Sequence, residues 1–156
     1  MKLPYEEGSV FAMPLGNGGF ARGVVARSTR VGRVLLGYFF GPHLETSASA
    51  TLDHLHPDQA VTRIRFGDLG LIDGRWVIIG KVPNWDRADW PIPDFVRRDP
   101  ISRKAWLVRY SDVDPLRSAS ELLSDYDDLQ GLDSDGLFGA GAAETKISKL
   151  LAPRPH

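Results

Sequence analysis

The stretch Val34-Leu35-Leu36-Gly37-Tyr38-Phe39-Phe40-Gly41-Pro42 constrains the fold more than any other part of the chain. An apolar run this dense, closed by Gly-Pro, reads as a strand buried on both faces and therefore marks the core. A chain of 156 residues that is 42% hydrophobic can bury such a core as one ordinary domain without staples. It must do so without cysteine, because the sequence has none. Disulfides, thiolate-held metals, zinc fingers and dithiol redox chemistry are thereby excluded, and a reducing, cytoplasmic setting is compatible with the composition.

Strand signals flank this run. Ser9 to Pro14 and Gly19 to Ser28 read as a hairpin turned by Leu15-Gly16-Asn17-Gly18, and a turn over Ser28 to Gly32 leads into the buried run, giving a three-stranded antiparallel meander. Residues 61 to 66 alternate, with Thr62, Ile64 and Phe66 on one face and Val61, Arg63 and Arg65 on the other, so the arginine face is expected to meet solvent or a partner. After Asp73-Gly74, Trp76 to Val82 reads as another buried strand, and Ala105 to Tyr110 as a further one. Pro83, Pro91, Pro93 and Pro100 argue for an irregular excursion over 83 to 100, anchored on the core by Trp85, Trp90 and Phe95. Leu122, Leu123, Tyr126 and Leu129 are spaced for a short helix within 118 to 130, and 142 to 151 reads as helix or terminal strand. The fold expected is a single mainly β domain over residues 1–156, a twisted antiparallel sheet or a partly open small barrel with one or two short helices.

Charge is segregated along the chain. Residues 1–110 carry 15 basic and 11 acidic side chains, whereas 111–156 carry 4 and 9. Asp112, Asp114, Glu121, Asp125, Asp127, Asp128, Asp133 and Asp135, against the lone base Arg117, make 112–135 an acidic appendage on which a basic ligand or partner could dock. The N-terminal residues lack a basic region followed by an apolar one, and no apolar segment has bilayer length, so neither a secretion signal nor a membrane anchor is expected.

Three blocks carry a resemblance: Gly8-Ser9-Val10-Phe11-Ala12-Met13-Pro14-Leu15, Gly37-Tyr38-Phe39-Phe40-Gly41-Pro42, and Phe66-Gly67-Asp68-Leu69-Gly70-Leu71-Ile72-Asp73-Gly74-Arg75-Trp76. In order and spacing they resemble the immunity protein 26 family of bacterial polymorphic toxin systems. The likeness continues through Trp85-Asp86-Arg87, Trp90-Pro91-Ile92-Pro93 and Arg98-Asp99-Pro100. It implies a mainly β protein, encoded beside a toxin, that protects its own cell by binding and neutralising that toxin. Neither catalytic residues nor a cofactor come with it. Many such toxins attack nucleic acid through basic clefts, which a carboxylate-rich surface can occupy with fast, steered association. Asp125, Tyr126, Asp127 and Asp128 are the preferred toxin contacts, with Tyr126 as an aromatic anchor among the acids.

Competing chemistries have weaker anchors. Asp53-His54-Leu55-His56-Pro57-Asp58, with His43 and Glu45 upstream, has metal-ligating types but no established ligand spacing, and Pro57-Asp58 places the imidazoles on a loop. Gly16-Asn17-Gly18-Gly19 is followed by no Lys-Ser/Thr and suits a hairpin turn better than a phosphate loop. Asp68 and Asp73 could line a cleft, yet aspartate in turns routinely bonds its own backbone. No serine sits in a nucleophile elbow, so an enzyme reading has no anchor residue. The alternative is a small β-barrel module binding nucleic acid or a small ligand. It would use Arg63, Arg65, Arg75, Arg87, Arg97 and Arg98 with Trp76, Trp85 and Trp90, but a pI near 6.4 counts against a binder driven by counterion release.

Overall fold

A computed structural model describes residues 2–29, 32–112, 114, 117–127 and 129–152. The meander forms as the sequence predicts: β1 (Ser9–Pro14), β2 (Phe20–Arg27) and β3 (Val34–Leu44) pair antiparallel in order. β4 (Thr62–Gly67) adds antiparallel to β3, β5 (Val77–Lys81) adds antiparallel to the far side of β1, and a two-residue β10 (Leu137–Phe138) runs parallel to β4. This six-stranded sheet has the order β10-β4-β3-β2-β1-β5. A second sheet, in the order β8-β7-β6-β9, comprises β6 (Phe95–Asp99), β7 (Lys104–Tyr110), β8 (Ser118–Asp125) and β9 (Asp133–Ser134). The protein is thus mainly β; the described residues form two mixed open sheets and no closed barrel, with a short α1 (Leu69–Ile72) and a longer α2 (Ala140–Leu151).

The larger sheet is covered on both faces, which explains why Val34 to Phe40 of β3 is apolar throughout. Leu35 and Phe39 point to one cluster with Phe11, Val25, Ile64, Phe66, Trp76 and the α2 residues Ala143 and Ile147. Leu36, Tyr38 and Phe40 point the other way, to Val10, Val24, Trp90, Phe95 and Val108, where the second sheet and the proline-rich excursion pack. On the first face Phe11 stacks on Trp76 at 5.4 Å, and Phe39 meets Phe11 and Phe66 edge-on at 5.7 and 5.5 Å. Three glycines make room for these rings: a Cβ on Gly23 would lie 2.3 Å from Phe11, one on Gly37 2.5 Å from Phe66, and one on Gly70 2.6 Å from Trp76. Only a residue without a side chain permits that approach.

Several expectations are corrected. The Gly41-Pro42 pair does not stop β3, which continues to Leu44, because the register with β2 shifts there and a bulge needs no ladder donor from proline. The Trp76–Val82 run is not a buried strand: its strand part, β5, is an edge with Val77 and Lys81 exposed. The excursion over 83–100 contains β6, which fits between Pro93 and Pro100 and so keeps every amide its pairing with β7 needs. The proposed helix within 118–130 is instead β8. The serines at 118, 120 and 124 are weak helix formers, and β7 offers a whole strand edge to pair with. The 142–151 segment resolves to helix, since Ala140, Ala143, Ile147 and Ser148 are buried at helical spacing.

Candidate partner-binding surface

The acidic stretch is best understood by following each carboxylate to its partner. Asp112 receives hydrogen bonds from Arg27 Nε at 2.9 Å and Arg87 Nη1 at 2.6 Å, and Arg87 also donates to Glu7 at 2.6 Å. Arg27 is buried, and its Nη1 donates to the carbonyls of Ala26 and Trp90 at 2.7 and 2.9 Å, so one side chain ties β2 to the excursion and to the residues after β7. Burial alone would raise the Asp112 carboxyl, but its two arginine hydrogen bonds outweigh that and hold it below the usual carboxylate range. Asp133 accepts from Thr62 Oγ1 at 2.6 Å and from the Arg63 backbone N at 3.2 Å. Asp135 accepts from the Tyr110 hydroxyl and forms an ion pair with Arg65, whose guanidinium lies 3.9 Å from the centre of the Tyr110 ring. Burial and the bond to Asp135 push the Tyr110 phenol up to about 12.

These contacts overturn the expectation that Arg63 and Arg65 form a wet face. Arg65 is 8% exposed and looks into the second sheet, and Arg63 lies half-buried against the Tyr38 ring and Asp133. Asp112, Asp133 and Asp135 therefore join the two sheets. Much of the charge segregation along the sequence is neutralised within the chain.

Of the other described acids in the stretch, Asp114 lies between β7 and β8, and three lie on β8 and the turn after it. Glu121 accepts from Arg97 at 2.6 Å, and that hydrogen bond keeps its carboxyl below the usual range. Asp125 ends β8 opposite Lys104, with an exposed side chain. Asp127 is exposed and pairs with Arg103 at 3.5 Å. Between them Tyr126 is half-buried with the Arg103 guanidinium 4.2 Å from its ring centre, a cation–π contact, while Arg98 bonds the Tyr126 and Leu129 carbonyls. Asp128 lies outside the described residues. The structure thus brings Asp125, Tyr126 and Asp127 to one end of the second sheet. It adds apolar neighbours that the sequence reading missed: Ile101 at the tip of the β6–β7 turn, 94% exposed, and Leu122 and Leu123 on β8, 52% and 65% exposed. Adjacent leucines in a strand must face opposite ways, so a strand over this segment, in place of the expected helix, is the signal that would have put at least one of them outside the core.

The other candidate sites dissolve into structure. Asp68 accepts from Tyr5 and from the Arg33 backbone, and Asp73 from the Arg75 backbone. The glycine turn closes the β1–β2 hairpin through Gly18 N to Leu15 O, and His43 reaches Gly18 O. Among the described residues no three His, Asp or Glu side chains converge as a metal site would require. Trp76 and Trp90 are buried, Trp85 is partly buried, and Arg75, Arg87 and Arg97 are bound to acids, with the Arg97 guanidinium 4.8 Å from the centre of the partly buried Trp106 ring.

The three sequence blocks meet in one place. Phe11 comes from the first, Gly37 and Phe39 from the second, and Phe66, Gly70 and Trp76 from the third. A family model described as Immunity protein 26 matches residues 6–107, which include all of them. The chain belongs to this family. No curated protein and no solved structure matches it. The matched residues run from β1 into β7, so the immunity protein 26 signature covers the aromatic core and the first two strands of the second sheet. β8 and the acidic turn follow it. No helix among the described residues is long and apolar enough to cross a membrane.

Proposed function

We propose that this protein is a non-enzymatic immunity protein that neutralises a cognate bacterial polymorphic toxin by one-to-one binding in the cytoplasm of the cell that makes both. The observation that carries the reading is an exposed apolar and acidic edge of the second sheet, Leu122 and Leu123 along β8 with Asp125, Tyr126 and Asp127 at its end and Ile101 in the β6–β7 turn, on a chain of an immunity family. Tyr126 supplies a large, partly buried ring, the exposed leucines supply apolar area, and the carboxylates supply steering toward a basic cleft. Asp128 is carried in the same proposal as the neighbour of Asp127.

Calorimetric titration against the product of the adjacent gene, at low and moderate salt, tests this. Tight one-to-one binding that abolishes the neighbour's toxicity and weakens with salt is the expected result. Triple replacement of Asp125, Asp127 and Asp128 by Asn should weaken binding and flatten the salt dependence. Unchanged affinity and salt dependence would remove the acidic contacts from the reading, and a folded neighbour that does not bind at all would overturn the function.

A further inference from the structure

The two sheets end in two very different long edges. β5 borders the larger sheet with only five residues, its pairing with β1 is bulged between Val10 and Phe11, and it ends in Lys81. Short length, a bulge and a lysine are the devices by which proteins keep an edge from pairing with another chain. β8 has eight residues without proline, glycine or lysine, and Ser120 to Asp125 keep unbroken register with β7. Among the described residues no strand pairs with its outer side, so alternate backbone N–H and C=O groups there face solvent. Leu122 and Leu123, more than half exposed, sit at the middle of that row.

We infer that the partner binds by strand addition: an extended segment of the toxin pairs with the outer edge of β8 and extends the β8-β7-β6-β9 sheet. Its apolar side chains lie beside Leu122 and Leu123, and its Lys or Arg side chains beside Glu121 and Asp125. The inference rests on the toxin-binding reading above and adds the mode of attachment to it. Charge selects the occupant. Residues 118–127 carry Glu121, Asp125 and Asp127 and no base. The bases that pair with Glu121 and Asp127, Arg97 on β6 and Arg103 in the β6–β7 turn, and Lys104 opposite Asp125 on β7, come from the inward side of β8. An arriving strand therefore meets carboxylates first. A second copy of this chain set edge to edge would place like charges across the new ladder, whereas a basic strand would pair with them.

Hydrogen exchange of the full-length protein, alone and saturated with the product of the adjacent gene, tests the mode. Strand addition predicts that amides within 118–125 slow by roughly tenfold or more on binding while those of β5 stay unchanged. A complex seen by calorimetry with no added protection in 118–125 would overturn strand addition and leave the immunity reading standing. A folded neighbour that forms no complex would overturn both. Protection of 118–125 in a dimer of the free protein would overturn the assignment of a basic partner strand. Leu122→Pro and Leu123→Pro add a second readout, because adjacent amides of a strand point to opposite sides. The variant whose lost amide faced outward should keep its melting temperature and lose binding by on the order of tenfold or more. Two folded variants that both bind normally would refute the mode.

Discussion

The two sheets of this protein solve opposite problems. The six-stranded sheet is covered on both faces, and the blocks that carry the family signature converge there on the Phe11, Phe39, Phe66 and Trp76 cluster and the glycines beneath it. The four-stranded sheet uses Phe95 and Val108 to pack against the first and leaves Leu122 and Leu123 in water. What the contrast teaches is that dense motif here marks packing. Rings seated on glycine tolerate little substitution, whereas a strand held mainly by backbone pairing to one neighbour can change its side chains freely. A partner-specific surface fits the second kind of element.

Substitutions in the core, at the joint and along the free edge test this contrast. Trp76→Ala should cost about 3–5 kcal/mol in denaturant unfolding, since the indole is buried between Phe11 and Phe66 and donates to Glu144. A loss below about 1 kcal/mol would show that the cluster does not organise the sheet. Arg27→Met probes the joint between the sheets. It strands the Ala26 and Trp90 carbonyls and leaves the Asp112 carboxylate with Arg87 as its remaining arginine, and should cost about 2–3 kcal/mol by the same measurement. The joint should also be acid-sensitive. The folded carboxyl of Asp112 lies below its unfolded value, so its contribution is complete above about pH 4 and is lost as pH falls through the folded value. Unfolding followed across that window should lose part of its slope in Asp112→Asn. The smallest stability effect belongs to the second sheet's edge. Leu122→Ser with Leu123→Ser should move stability by only about 0.5 kcal/mol, yet weaken binding of the adjacent gene's product by about tenfold or more. A large stability loss there would mean that the leucines serve the fold.

Much of the core was legible from the residues. β1, β2, β3 and β7 lie within a few residues of where alternation and turn chemistry place them, because period and breakers are local signals. The second sheet was half legible. Prolines hid β6 by making the whole of 83–100 look irregular, and the leucine spacing of 118–130 suited a helix until β7 offered its edge. Asp125, Tyr126 and Asp127 were visible as a charged run, but their apolar neighbours Ile101, Leu122 and Leu123 were not. Exposure of a hydrophobic residue depends on what covers it, and nothing in a short window says so.

The same division holds for charge. Basic residues gathering before position 110 and acidic ones after it, and a run from Val34 to Phe40 that must be buried on both faces, are properties of the chain read locally. That Asp112, Asp133 and Asp135 are consumed in holding the sheets together while Asp125 and Asp127 remain outside follows from the packing of the sheets. The reason is range. Hydrophobic period and turn propensity act between neighbours in the chain, whereas an ion pair or a free strand edge is set by which distant strands lie side by side.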